Sequence, residues 1–206
     1  MIRIHNFPGG ARGIRAIWAC EEMGLAYETS AVTFPPSDAY KALNPLGSVP
    51  FLEDGAVAIN ESIAIMLYLA ERYGPTPLLP KGDPVALARV MQLTVYGEAS
   101  LGAGIDPLLM AKFGAPDADK LNWSVRTQVG RVERFIAYVE AQLGDRPFLV
   151  GDDLTLADIA VTTALGIWQG ALDGPLSERL LAWRAGLAAR PAWQRAQAAQ
   201  VRPPPS

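Results

Sequence analysis

The chain of 206 residues has a single cysteine, Cys20, and a single histidine, His5. One thiol closes no intramolecular disulfide, and two soft ligands fall short of a closed Cys/His zinc site, so disulfide scaffolds and zinc fingers are excluded and no metal is expected. Long apolar runs are missing too. The longest, Ile63 to Ala70, falls far below the ~20 residues of a membrane span. Near the start, Arg12, Arg15, Glu21 and Glu22 interrupt the stretch that a secretory signal would keep apolar. No membrane association, a cytoplasmic location and reduced thiols are the expectations. Nor is positive charge in excess: 18 Lys and Arg against 21 Asp and Glu give a net charge of −3, leaving no basic field to hold a nucleic acid.

What remains is an ordinary globular composition, half apolar and 19% charged, long enough for one large domain or two small ones. The first half alternates strands and helices. Ile2 to Phe7 reads as a strand ending at Pro8-Gly9-Gly10, and Gly13 to Met23 as a helix closed by Gly24. Tyr27 to Thr33 is a second strand, and a short helical turn follows around Ala39 to Leu43. Val49 to Leu52 and Ala56 to Ile59 then flank the hairpin signal Asp54-Gly55, before a helix opens at Asn60-Glu61-Ser62. The order is β-α-β-α-β-β-α. Pro75, Pro77, Pro80, Gly82 and Pro84 crowd a segment that neither helix nor central strand accommodates, so residues 77–84 are read as a linker between a domain of residues 1–76 and an all-helical one of residues 85–206. Beyond it, Val85 to Phe113 is helical with a break near Gly102, Gly104 and Pro107. Residues 118–143 carry one apolar stripe, and Leu154-Thr155-Leu156-Ala157-Asp158-Ile159 reads as a capped helix start.

Three segments carry a resemblance: residues 11–25 (ARGIRAIWACEEMGL), residues 44–55 (NPLGSVPFLEDG), and Asn60-Glu61-Ser62 leading into Ile65 to Leu69. Together with the capped segment from Leu154 to Val161, their order and spacing resemble the glutathione transferase superfamily over most of the chain. The resemblance implies an α/β N-terminal domain of thioredoxin-like fold that binds glutathione, followed by an all-α domain that helps shape a pocket for a hydrophobic electrophile. It also implies a homodimer, glutathione as co-substrate, and a cis bond between Val49 and Pro50. Local sequence leaves that isomer open.

The residues fit the ligand chemically. A serine hydroxyl and N–H groups at a helix start suit the γ-glutamyl carboxylate, and Glu61 offers a partner for the neighbouring ammonium. Ser62 and Glu61 are therefore the expected binding residues, although Asn60 or Ser62 acting only as a helix cap is the blander reading. A cis Val49-Pro50 would turn the Val49 backbone toward the cysteinyl part of glutathione. Catalysis needs that cysteinyl sulfur as a thiolate. Family members commonly place a serine, cysteine or tyrosine near the end of the first strand, yet Asn6-Phe7-Pro8-Gly9-Gly10-Ala11-Arg12-Gly13 offers no hydroxyl and no thiol. The usual serine position falls at Gly10 or Ala11. Arg12, with N–H groups of residues 10–13, is the expected catalytic thiolate stabiliser, against an alternative in which it is a surface side chain. His5 and Asn6 stand behind it, and Cys20, about two helical turns on, reads as a packed thiol.

Tyr96, Ser100, Leu101, Ile105, Leu108 and Leu109, along with Phe7 and Trp168, are candidate pocket residues; the alternative is plain core, which is the favoured reading for the leucines. The expected function is conjugation of the glutathione thiolate to a small hydrophobic electrophile. Because the usual activator is missing, two alternatives stand beside it: a glutathione-dependent disulfide reductase or peroxidase, and a non-catalytic binding module.

Overall fold

A computed structural model describes residues 1–10 and 12–200 and falls into two compact units. The first comprises residues up to Leu79 together with the segment from Leu187 onward. Its elements follow the expected order: β1 (Ile2–Asn6), α1 (Gly13–Met23), β2 (Tyr27–Ala31), α2 (Asp38–Leu43), β3 (Phe51–Asp54), β4 (Val57–Asn60) and α3 (Ser62–Tyr73). The sheet order is β2-β1-β3-β4. β1 and β2 are parallel because the crossover helix α1 returns the chain to the same end, whereas β3 and β4 are antiparallel neighbours joined by a two-residue turn that begins at Gly55, φ 63°. This is a thioredoxin-like mixed sheet.

Helix α1 is buried on every side from Gly13 to Cys20, so it reads as apolar all round rather than striped. Gly24 ends it in the left-handed conformation, φ 64°, donating to Cys20 and Glu21 carbonyls. α9 (Pro191–Ala199) packs against α1, with Trp193 edge-on to Trp18 at 4.6 Å between ring centroids. Arg190 grips Glu22 through two hydrogen bonds of 2.7 and 2.8 Å, and Arg195 meets Glu21 at 2.6 Å.

The second unit, Pro80–Gly186, is helical throughout its regular elements: α4 (Pro84–Tyr96), a π-helical segment (Gly97–Gly102), α5 (Ala103–Gly114), α6 (Trp123–Leu143), α7 (Leu156–Leu172) and α8 (Glu178–Ala188), which runs to its boundary. The irregularity expected near Gly102, Gly104 and Pro107 is a widened π turn from Gly97, while Pro107 lies inside α5. A Cβ on Gly97 would stand 2.8 Å from the backbone of Ala160 in α7, so only glycine lets the two helices approach this closely. α6 starts at Trp123 rather than 118, because the Asn122 side chain caps it by accepting from Val125 N–H at 3.0 Å. α7 is buried from Leu156 to Leu165 and begins with the expected capping box, in which Asp158 accepts from the Thr155 N–H and hydroxyl, each at 2.8 Å.

Candidate functional site

The sheet register brings the separated sequence segments to one end of the first unit. His5 pairs with Phe51, and Phe51 with Asn60. One residue further along each strand lie Asn6, Pro50 and Glu61, so the turn after β1, the Val49-Pro50 step and the start of α3 share one sheet end. The Val49-Pro50 bond is cis. Both α1 and α3 begin there, so the positive ends of two helix dipoles lie at that sheet end.

At the start of α3, Glu61 occupies the capping position at φ 68°, ψ 109°, with its side chain exposed and no side-chain cap bond. Neither Asn60, the last residue of β4, nor Ser62 caps the helix. An L residue held at positive φ costs about 1–3 kcal/mol, which the surrounding structure must sustain. Ser62 is 3% exposed, and its Oγ accepts from Arg15 Nη1 at 3.0 Å. Val49 is half-buried and packs with Phe7 on the cluster of Val32, Tyr40 and Phe51, while Pro50 is buried.

The turn after β1 is organised by Asn6. Its side chain is fully buried, its Nδ2 donates to the Gly10 carbonyl at 3.2 Å, and its backbone carbonyl accepts from Val32 N–H. A Cβ at Gly10 would lie 2.4 Å from Asn6 Oδ1, and one at Gly13 would lie 2.1 Å from Asn6 Cγ. A side chain at Gly10 or Gly13 would therefore require Asn6 to move. Asn6 shapes the turn from beneath. Arg12 stands at the capping position of α1, half-buried, and Ala11 lies outside the described residues.

No carboxylate lies near His5 in the sequence. The fold supplies one. Glu53 Oε2 is 2.6 Å from His5 Nε2, on the same sheet face two residues along β3 from Phe51, and the ring lies between Tyr40 and Phe51, each at 5.7 Å. Cys20 is fully buried, and burial first, then Glu21 and Asp54, pushes its thiol up to about 12, so it is inert at neutral pH. Two residues that sequence reasoning missed now stand out: Arg15 and Glu53. The signal for Arg15 was its place inside an otherwise apolar helix stretch. Glu53 gave none.

In the second unit, Tyr96 donates its hydroxyl to the Phe135 carbonyl at 3.2 Å and packs on Phe135 and Tyr138; burial, with Tyr138 adding, pushes it up to about 12. Ser100 lies half-buried in the π segment. Trp168 is buried with Nε1 bonded to the Pro175 carbonyl at 3.0 Å, and Leu101, Ile105 and Leu108 are buried as well. Among the described residues no group of three or more His, Cys, Asp or Glu gathers that could hold a metal ion, and no helix is long and apolar enough to cross a membrane.

A four-stranded thioredoxin-like sheet with two helix starts at one end, and an all-helical second unit, define the class of fold. Residues 13–72 match the family profile described as "Glutathione S-transferase, N-terminal domain", and residues 86–195 that described as "Glutathione S-transferase, C-terminal domain". The chain belongs to the glutathione S-transferase family. It is 31% identical to glutathione S-transferase 3 of Zea mays, across 99% of this chain and 96% of that protein. Among solved structures, it resembles a theta class glutathione S-transferase of Xanthomonas axonopodis pv. citri with glutathione bound, at 30% identity and a TM-score of 0.80, covering 95% of this chain and 96% of that one. A Nilaparvata lugens delta-class glutathione transferase matches at 26% identity with a TM-score of 0.82, covering 97% and 95%.

Proposed function

We propose that the chain is a glutathione transferase that transfers the glutathione sulfur to a small hydrophobic electrophile. The carrying observation is the convergence, at one sheet end, of the Val49-Pro50 step, the starts of α1 and α3, and Glu61 at positive φ. In this reading Val49 and Pro50 pair the cysteinyl segment, Ser62 and the first N–H groups of α3 take the γ-glutamyl carboxylate, and Glu61 takes the ammonium. Arg12 and the start of α1 stabilise the sulfur. The thiol proton passes to water, the thiolate attacks the electrophilic carbon, and the leaving group departs with its electron pair. The functional division is a glutathione domain of residues 1–76 and an electrophile domain of residues 85–206, to which Tyr96 and Ser100 belong. The working form is a cytoplasmic homodimer acting in detoxification; a lone, buried thiol suits a reducing compartment.

One observation favours a second reading. The turn after β1 carries no hydroxyl for the sulfur, and bound glutathione would then serve as reductant of a small disulfide or peroxide. A single panel decides: glutathione binding by calorimetry, conjugation of an aryl halide, and reduction of a small disulfide. Conjugation supports the transferase, reduction alone the second reading, and binding without turnover a non-catalytic module. Absence of binding refutes all three.

A further inference from the structure

Arg15 lies within the stretch of α1 that is buried on every side, between Ile14 and Ala16, and is itself 0% exposed. A guanidinium placed there loses its hydration, a cost of several kcal/mol that an aliphatic side chain of similar volume would avoid. Its placement is thus tied to what it touches. Guanidinium nitrogens only donate, and Nη1 donates to Ser62 Oγ at 3.0 Å. A serine hydroxyl carries one proton and two lone pairs, so once Oγ accepts from Arg15, its own proton is free to turn to a different acceptor. Ser62 is the first residue of α3, where the positive end of the helix dipole favours an anion.

We propose that Arg15 is a positioning residue for the ligand carboxylate: through its bond to Ser62 it fixes that hydroxyl as a donor to the γ-glutamyl carboxylate and sets a buried positive charge behind it. This deepens the glutathione reading and rests on it. A purely architectural Arg15, tying α1 to α3, would weaken every ligand alike, whereas the positioning role acts on one ligand group.

The test uses two ligands, glutathione and the analogue with a γ-aminobutyryl residue in place of γ-glutamyl, which lacks only that carboxylate. Calorimetry on the wild type gives the preference for glutathione, expected at about ten- to a hundredfold for a charge-assisted bond. Arg15→Met should reduce that preference at least about threefold, as Ser62→Ala should, and Arg15→Lys should restore part of it. If Arg15→Met lowers affinity for both ligands by one factor and leaves the preference intact, Arg15 merely braces the helices and the inference fails while the glutathione reading survives. Should Arg15→Met not fold, Arg15→Gln, which keeps a donor without the charge, replaces it under the same criterion. A wild type that binds neither ligand removes the functional reading, and the inference with it.

Discussion

Glu61, at φ 68° beside a buried serine, illustrates how stability and binding pull apart at a single position. Glycine tolerates that backbone and alanine does not, so Glu61→Gly should be more stable than Glu61→Ala by about 1 kcal/mol in urea unfolding, while both bind glutathione more weakly than the wild type. Equal stability of the two would show that the backbone relaxes. Arg12→Ala should raise the titration midpoint of the bound glutathione thiol, followed by its near-ultraviolet absorbance, and lower turnover more than affinity, since a cation favours the ionised sulfur over the neutral one. The turn itself is tested by Gly13→Ala, whose Cβ would meet Asn6 at 2.1 Å; a loss of about 1–3 kcal/mol should shrink when Asn6→Ala is added. That α3 starts beside Glu61 and Ser62 was legible because helix-start chemistry is local. The Arg15–Ser62 and His5–Glu53 bonds were not, since each joins side chains 47 or 48 residues apart and no periodicity reports such a meeting.

The start of α7 is the element most fully written in its own sequence, because every partner but one lies within four residues. Asp158 accepts from Thr155 N–H and hydroxyl and, from further back, Leu149 N–H at 2.8 Å. Burial pushes its carboxyl from the usual 3.8 up to about 6, overriding the hydrogen-bond donors that pull it down. A folded value above the unfolded one means that the native state holds the extra proton between these two points. The group's stabilisation is full below pH ~4, declines as pH rises through about 6, and amounts to about 3 kcal/mol. Asp158→Asn should flatten that part of the curve, and the difference between the two proteins' urea stabilities at pH 4 and pH 7 reads it directly. Asp158→Ala, which orphans the Leu149 and Thr155 N–H groups, should cost about 1–3 kcal/mol at either pH. The π segment had no comparable signature. Glycines and Pro107 mark an irregularity in the sequence, but where it falls is decided by the backbone of Ala160, which lies in another helix.

On the scale of the molecule, the strand and helix order was readable because period and punctuation are local, whereas the return of α9 to α1 was not. Trp18 and Glu22 look like any helix residues until Trp193 and Arg190 arrive from the far end of the chain. Trp193→Ala should lower stability by about 2–3 kcal/mol, read in urea unfolding, because it uncovers the fully buried Trp18 ring. The proposed homodimer is checked by light scattering after size exclusion, with a monomer mass the adverse result. The clasp between first and last helices also bears on how the chain is made. A ribosome releases residues in order, and at ordinary synthesis speeds about ten seconds separate the emergence of α3 from that of α9. Throughout that interval the nascent sheet waits with one flank of its central helix uncovered. The first part to be translated is among the last to be finished, and a chaperone that shelters apolar helix faces would find its substrate there.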